Sequence, residues 1–282
     1  MTTNRIVHIF TELRKQKKSA LMPFITAGYP DLETTAALLL ALEQAGASIC
    51  EIGIPFSDPI ADGPVIAASM HDALERGFDL EAMFAMIKSV RPTVSMGLVA
   101  MVSYSIVYRY GLNKFVNRCA DAGFDGFIFP DLPIEESADA RAAAKKAGLT
   151  CSLLIAPNTP IDRAREIAEA STGFVYLLAR VGITGERSDA PEIGELVEQL
   201  RGSSGGSGSG ESCAMKTPIA CGFGIGSPDS VLAVTQHAEA AIVGSAIVKR
   251  MEQMVDTEIT CDVMTKRISE FVRELAGGLV SS

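Results

Sequence analysis

The chain has 282 residues, of which 48% are hydrophobic, so it is long enough for one sizeable core or two small ones. Its formal net charge of -9 argues against surfaces that bind nucleic acid or anionic membranes, because these need an excess of positive charge. No run reaches the ~18 apolar residues of a membrane helix, and the first twenty residues lack the apolar core of a signal peptide. The six cysteines form no CxxC motif and no ligand-like cluster with the three histidines, which is typical of free thiols in a reducing compartment. We therefore expect a cytoplasmic enzyme.

The predicted elements alternate between short apolar strands and amphipathic helices along the chain. A helix at about residues 3–17 comes first. Eight predicted strands follow, at 21–28, 48–54, 94–102, 123–131, 150–158, 173–180, 217–225 and 239–246. Helices lie between them, such as 31–46, where Asp31 can cap the N-terminus, and the helix that begins after the N-cap signal Ser227.

Eight strand–helix units with almost continuously apolar strands predict the α/β class and a closed (β/α)8 TIM barrel with an extra N-terminal helix. The alternative, a doubly wound open sheet, normally has fewer units and a glycine-rich turn after its first strand. We expect residues 1–282 to form a single barrel domain. The segment GSSGGSGSG suggests a flexible, dispensable loop at 202–216 within that domain, because the two units after it are too few for a second core.

The C-terminal ends of the strands define the candidate chemistry, because reactive groups of such barrels project from there. No predicted strand end carries a lysine, which argues against Schiff-base chemistry. The three histidines fall in predicted helical segments, which argues against a histidine-rich metal centre. The residue types that remain at the strand ends as candidates for the chemistry are carboxylates, tyrosine and glycine.

The stretch CEIGIPFSDPIADGP, residues 50–64, brings three carboxylates together. If the apolar neighbours of Glu51 share one strand face, Glu51 points to the other face, into the pocket at the top of the barrel. Burial would raise its pKa and suit it to donate a proton; the alternative is a structural glutamate held by buried hydrogen bonds. Asp62 can either fold back over the pocket or form an Asx turn. For Asp58, the sequence favours a role in a turn or in a surface contact.

Two glycine-rich strand ends predict a phosphate site. The seventh predicted strand ends in CGFGIGSP, which contains Gly224, and the eighth ends in VGSAIV, where Gly244 and Ser245 open a helix. Backbone amides and a hydroxyl at these positions can hold a phosphate, although glycines are also ordinary turn residues. The polar loop ARVGITGERSDAPE after the sixth strand is long enough to act as a mobile lid.

Several segments together resemble the tryptophan synthase alpha subunit family, whose stand-alone members are indole-3-glycerol-phosphate lyases. The matching segments are MPFITAGYPD, CEIGIPFSDPIADGPVI, FPDLPIEES, IAPNTP, VYLLARVGITG, GFGIGSP and VGSAIVKR. They occur in the order and spacing of that family and cover nearly the whole chain, and PFSDPIADGP is the most specific of them. One departure is the sequence Ser103-Tyr104-Ser105, where relatives often have a Tyr-Asn pair.

The resemblance implies a retro-aldol cleavage of indole-3-glycerol phosphate to indole and glyceraldehyde 3-phosphate, in L-tryptophan biosynthesis, with no cofactor and no metal. It implies that Glu51 is the general acid/base and Asp62 the second catalytic carboxylate. The implied substrate-binding residues are Phe24, Tyr176, Thr184, Gly185, Gly224, Gly244 and Ser245, with Thr184 on the lid. It also implies a pyridoxal-phosphate β subunit as partner in an α2β2 heterotetramer, with Asp58 at the contact.

Two rival interpretations remain at this stage. Another phosphate-handling barrel of the same pathway would be expected to place a lysine or a Cys/Asp pair at its strand ends. A catalytically weak barrel that acts mainly as an allosteric partner of a β subunit would be expected to lack one carboxylate. Both Glu51 and Asp62 are present.

Overall fold

A computed structural model describes residues 4–60, 62–178, 193–202, 215–222, 224–255, 257 and 259–279. Within them, nine parallel strands form one sheet. The strands are β1 Ala20–Thr26, β2 Ile49–Gly53, β3 Gly97–Met101, β4 Gly126–Ile128, β5 Thr150–Ser152, β6 Leu154–Ile155, β7 Val175–Leu178, β8 Ile219–Gly222 and β9 Ala240–Val243. Nearly all of their residues are buried, because helices cover the outside of the sheet and side chains fill the inside.

The sheet closes into a barrel at one broken strand. Its order is β5-β4-β3-β2-β1-β9-β8-β7-β6, so the two ends of the sheet are β5 and β6. Only Leu153 separates these two strands along the chain; β5 pairs with β4 and β6 pairs with β7. At the break, the Leu153 amide donates a hydrogen bond of 3.1 Å to the Ser171 hydroxyl, and the Leu153 carbonyl accepts one of 3.0 Å from the Tyr176 amide of β7. The expected (β/α)8 barrel is thus confirmed, with its fifth strand split in two.

Twelve α-helices surround this sheet in the described part of the chain. They are α1 Arg5–Lys15, α2 Leu32–Gln44, α3 Pro64–Glu75, α4 Leu80–Val90, α5 Tyr104–Tyr110, α6 Leu112–Ala122, α7 Ala138–Lys146, α8 Ile161–Ala170, α9 Ile193–Arg201, α10 Pro228–Thr235, α11 Ser245–Val255 and α12 Cys261–Ala276. No helix in these ranges is long and apolar enough to cross a membrane. The five described cysteines are free thiols.

The extra N-terminal helix, α1, is confirmed and packs at the N-terminal ends of the strands. Asn4 caps α1 through its side-chain oxygen, and its side-chain nitrogen donates 2.8 Å hydrogen bonds to the carbonyls of Asp125 and Gly148. Ile6 is fully buried, and the Phe10 ring centroid lies 6.0 Å from that of Phe174. This helix therefore covers the barrel floor, opposite the ends from which side chains reach a substrate.

The predicted caps are observed, whereas several predicted boundaries are not. Asp31 accepts a hydrogen bond from the Thr34 amide at the start of α2, and Ser227 forms a capping box with Ser230 at the start of α10. The strand predicted at 239–246 ends at Val243 instead, because the following glycine leads directly into α11. The loop predicted at 202–216 falls mostly on residues 203–214, which lie outside the described residues, so that part of the domain prediction stays a prediction.

Candidate active site

One cavity of about 430 Å3 opens where the C-terminal ends of the strands meet. This volume is within the range of ~300–1,000 Å3 that is typical of small-molecule sites. Its walls are formed by Phe24, Glu51, Asp62, Gly63, Ile66, Met101, Leu154, Pro157, Tyr176, Leu178, Gly224, Ile225, Gly226, Ile242, Gly244, Ser245 and Ala246. All the predicted catalytic and substrate-binding residues in the described part of the chain thus line a single space.

Glu51 lies in the middle of β2 and points into this cavity. It is paired in register with Phe24 of β1 and Val99 of β3, and its residue is only 1% exposed. Neither carboxyl oxygen has a hydrogen-bond partner among the described residues. Burial, followed by the negative charge of Asp62, raises the pKa of Glu51 well above its ordinary value. The side chain is therefore held as a neutral acid that can give up a proton.

Asp62 lines the same cavity from the loop between β2 and α3. The loop is folded by a 3.1 Å hydrogen bond from the Asp62 amide to the Pro59 carbonyl, and His71 of α3 contacts the Ser57 carbonyl at 2.7 Å. Burial raises the pKa of Asp62 to about 6, and the charge of Asp131 adds to the effect. Asp62 is therefore mostly ionised at neutral pH, unlike Glu51.

Two aromatic side chains flank the acids. A Cβ atom at Gly53 would collide with the ring of Phe24, so the glycine on β2 leaves the space that the ring occupies. Tyr176 of β7 is 8% exposed, and burial, together with the charges of Glu51 and Asp62, raises the pKa of its hydroxyl well above the ordinary value. Tyr176 is therefore a neutral hydroxyl beside both carboxyls. Phe24 and Tyr176 give the cavity flat apolar walls suited to an aromatic ligand.

The glycine-rich end of the cavity lies at two helix N-termini. Gly224 has a φ of +74°, which favours glycine, and it precedes α10. Gly244 and Ser245 border the cavity at the start of α11. The first amides of a helix have no partner within the helix and carry a partial positive charge, so this end suits an anionic group.

Some predicted residues lie outside the described residues or outside the main cavity. Thr184 and Gly185 fall in 179–192, of which nothing is described. Asp58 is exposed and lines a smaller neighbouring cavity. His237 lies in the turn after α10, not within a helix as expected. Within the described ranges, no three His, Cys, Asp or Glu residues are grouped so that they could hold a metal ion.

Asp131 is the residue that sequence reasoning missed. It follows β4 in the segment FPDLP, and its charge contributes to the raised pKa of Asp62. A carboxylate just beyond the C-terminal end of a barrel strand was the available signal. Its relation to Asp62 was not visible, because the two residues belong to loops that follow β2 and β4, which are not adjacent strands.

The fold and the cavity together define a (β/α)8-barrel enzyme with acid–base groups at the C-terminal ends of its strands. The tryptophan synthase alpha chain family model matches residues 10–278. A tryptophan synthase alpha chain from Rhodopirellula baltica is 41% identical over 256 residues, 88% of this chain and 87% of that relative. The chain therefore belongs to the tryptophan synthase alpha chain family.

Solved structures agree with this family. A structure of tryptophan synthase from M. tuberculosis in an aminoacrylate-bound form has a TM-score of 0.82 and 29% identity, with coverage of 98% of this chain and 99% of that one. A tryptophan synthase complex from Pyrococcus furiosus has a TM-score of 0.78 and 32% identity, with coverage of 92% and 99%. The similarity extends over the whole barrel and is not confined to the site.

Proposed function

We propose that this chain cleaves indole-3-glycerol phosphate to indole and glyceraldehyde 3-phosphate, a carbon–carbon lyase reaction of L-tryptophan biosynthesis. The observation that carries the proposal is the buried carboxyl of Glu51, which has no hydrogen-bond partner in the described part of the chain and faces the same cavity as the ionisable Asp62. Family membership supports the same reaction. The retention of both acids favours an active lyase over a barrel that only activates a partner.

In the first step, neutral Glu51 transfers its proton to C3 of the indole ring. A C3–H bond forms, and the positive charge spreads to the ring nitrogen. The anionic Asp62 accepts a hydrogen bond from the ring N–H, and this bond strengthens as charge builds there. The heterocycle thereby becomes the electron sink that the cleavage needs.

In the second step, the bond between C3 and the side-chain carbon breaks. Its electron pair returns to the ring and neutralises the charge on nitrogen, which releases indole. The hydroxyl on the departing carbon becomes an aldehyde, and its proton returns to the Glu51 carboxylate. The acid is restored, so the reaction needs no net proton.

The shape of the cavity supports a binding mode for the rest of the substrate. Phe24 and Tyr176 would enclose the indole ring, and Gly224, Gly244 and Ser245 would hold the phosphate at the two helix N-termini. Thr184 and Gly185 are proposed to act from the loop after β7, with Thr184 closing toward Asp62. We also propose a cytoplasmic location. A tryptophan synthase β subunit is the proposed partner, in an α2β2 complex, because a similar structure comes from a tryptophan synthase complex.

The test is to incubate the purified chain with indole-3-glycerol phosphate, with and without a β subunit, and to measure indole. Glu51→Gln removes the transferable proton but keeps the shape, so indole formation should fall by about 10²–10⁴-fold while ligand binding persists. Glu12 of α1, half-buried on the barrel floor and paired with Lys15, provides the control Glu12→Gln, which should leave turnover unchanged. Near-normal turnover by Glu51→Gln would show that another group is the acid.

A further inference from the structure

A second, smaller cavity lies next to the main one and shares two of its walls. It measures about 20 Å3, room for about one water molecule. Asp62 and Met101 line both cavities, and the smaller one is also lined by Asp58, Ser103 and Asp131. Most of its other walls are apolar, including Ile54, Phe56, Met70 and Val102. Asp62 and Asp131 therefore face a common, narrow and poorly solvated space.

Hydrogen bonds from the segment after β3 hold Asp131 in place. Its carboxylate accepts a 2.5 Å hydrogen bond from the Ser103 hydroxyl and a 2.8 Å hydrogen bond from the Tyr104 amide at the start of α5. Each donor bonds to a different carboxylate oxygen, so the two hydrogen bonds together fix the position of the Asp131 side chain. A fixed charge beside an apolar cavity acts on its neighbours more strongly than a charge in bulk water.

We propose that Asp131 is a positioning residue for the lyase reaction, which acts through Asp62 by strengthening that carboxylate as the acceptor of the indole N–H hydrogen bond. The inference rests on the proposed function and adds to it a group that does not touch the substrate. The negative potential of Asp131 makes Asp62 a stronger base, and a stronger base accepts a stronger hydrogen bond from the charged ring.

Among the charged and titratable groups around Asp62, Asp131 is the one whose charge affects the pKa of Asp62. Glu51 faces Asp62 from β2, Tyr176 from β7, Asp131 from the segment after β4, and Asp58 from the same loop as Asp62. After burial, the charge of Asp131 is the cause that raises the pKa of Asp62. Asp58 lines the same small cavity but does not contribute to this shift, which makes it a matched control.

The first measurement follows the ionisation of Asp62 without any substrate. Carbon-13 NMR of aspartate-labelled protein gives the midpoint of the Asp62 carboxyl titration, which is assigned with Asp62→Asn. Asp131→Asn keeps groups that can pair with Ser103 and Tyr104 but removes the charge. We expect the midpoint to fall by roughly half to one pH unit, ~3- to 10-fold in the protonation equilibrium. Asp58→Asn should leave the midpoint in place.

The second measurement is the pH profile of kcat/KM for indole-3-glycerol phosphate. In Asp131→Asn, the acid limb of this profile should move to lower pH by the same amount as the Asp62 midpoint. The plateau value of kcat/KM should fall several-fold. A merely structural role for Asp131 would lower the plateau without moving the limb. Asp131→Glu keeps the charge and should keep the wild-type limb. Asp131→Ser provides a second neutral variant if Asp131→Asn does not fold, which circular dichroism will show.

An unchanged Asp62 midpoint in the neutral variants would overturn the proposal, whatever their activity. A lowered midpoint with an unmoved acid limb would also overturn it, because Asp131 would then not act through Asp62 in the reaction. Failure of the proposed function gives a different result. The wild-type protein would then show the expected midpoint for Asp62, and Asp131→Asn would lower it, but the wild-type protein would produce no indole.

Discussion

At the scale of single residues, the two cavity acids differ because their surroundings differ. Glu51 lies on a strand where neither carboxyl oxygen has a hydrogen-bond partner among the described residues, so burial keeps it neutral. Asp62 lies on a loop where burial is incomplete, and its pKa of about 6 leaves it mostly ionised at neutral pH. Two carboxyl groups with separated pKa values can serve as acid and as anion in the same cavity.

The pH dependence of kcat/KM should report the ionisation of Asp62. Its pKa is raised from 3.8 to about 6, so we expect activity to rise with pH through about 6 as the carboxylate forms. Steady-state assays between pH 5 and 8 will measure this limb. The limb should be absent from the residual activity of Asp62→Asn. If the acid limb of the wild-type enzyme lay near pH 4 instead, the pKa of Asp62 would not be raised in the free enzyme.

Residue-level prediction succeeded where strand alternation decided the outcome. The apolar neighbours of Glu51 fixed the direction of its side chain, and the structure confirms that it faces the cavity. Prediction failed for Asp131, because nothing in the spacing of the chain reveals that loops after non-adjacent strands converge on one small cavity. The proposed catalytic roles of the acids remain predictions.

At the scale of elements, the barrel floor is held by one buried carboxylate. Asp125, just before β4, accepts hydrogen bonds from Arg5 at 2.9 Å, from Arg91 at 3.2 Å and from the Leu98 amide at 2.9 Å. These contacts connect the first residue of α1, the end of α4 and the strand β3. Burial nevertheless raises the pKa of Asp125, because desolvation outweighs the nearby positive charges.

Asp125→Ala should therefore destabilise the chain by about 3 kcal/mol, because it leaves the largely buried Arg91 without its counter-charge. Urea unfolding will measure the change. Asp121→Ala, at an exposed acid of α6, is the control and should change stability by less than ~0.5 kcal/mol. Equal stabilities for the two variants would show that the floor does not depend on this carboxylate.

Element boundaries were harder to predict than element types. The alternation of strands and helices and the caps at Asp31 and Ser227 were visible because they depend on local chemistry. The break at Leu153 was not visible, because the Leu153 amide bonds to Ser171, eighteen residues away along the chain, and no local pattern shows that contact. Likewise, the apolar run at 239–246 did not show that Ser245 already belongs to a helix.

At the scale of the whole molecule, the barrel separates stabilising contacts from the candidate chemistry. The contacts of α1 and Asp125 lie at the N-terminal ends of the strands, and both acids of the cavity lie at the C-terminal ends. Such a division is common in (β/α)8 barrels and allows loops on one face to change without effect on the other.

Deletion of residues 204–209 tests this division. The connection from α9 to β8 enters β8 at its N-terminal end, on the face opposite the cavity. Loop length has a weak effect on stability, ~0.6 kcal/mol per doubling, so both the melting temperature and kcat/KM should be close to wild type. A loss of activity above tenfold would mean that this connection influences the cavity. An intact chain whose residues 204–209 are scrambled serves as the control.

The buried carboxyl of Glu51, which no described residue hydrogen-bonds, also limits how heat-resistant this protein can become. An ionisable group in an apolar environment costs folding free energy, and a leucine or methionine there would be better tolerated by the surrounding core. A screen that selects only for survival at high temperature would thus favour loss of this acid and, given the proposed role of Glu51, would yield stable but inactive barrels. Laboratory evolution of hardier forms should hold position 51 constant and vary the opposite end of the barrel.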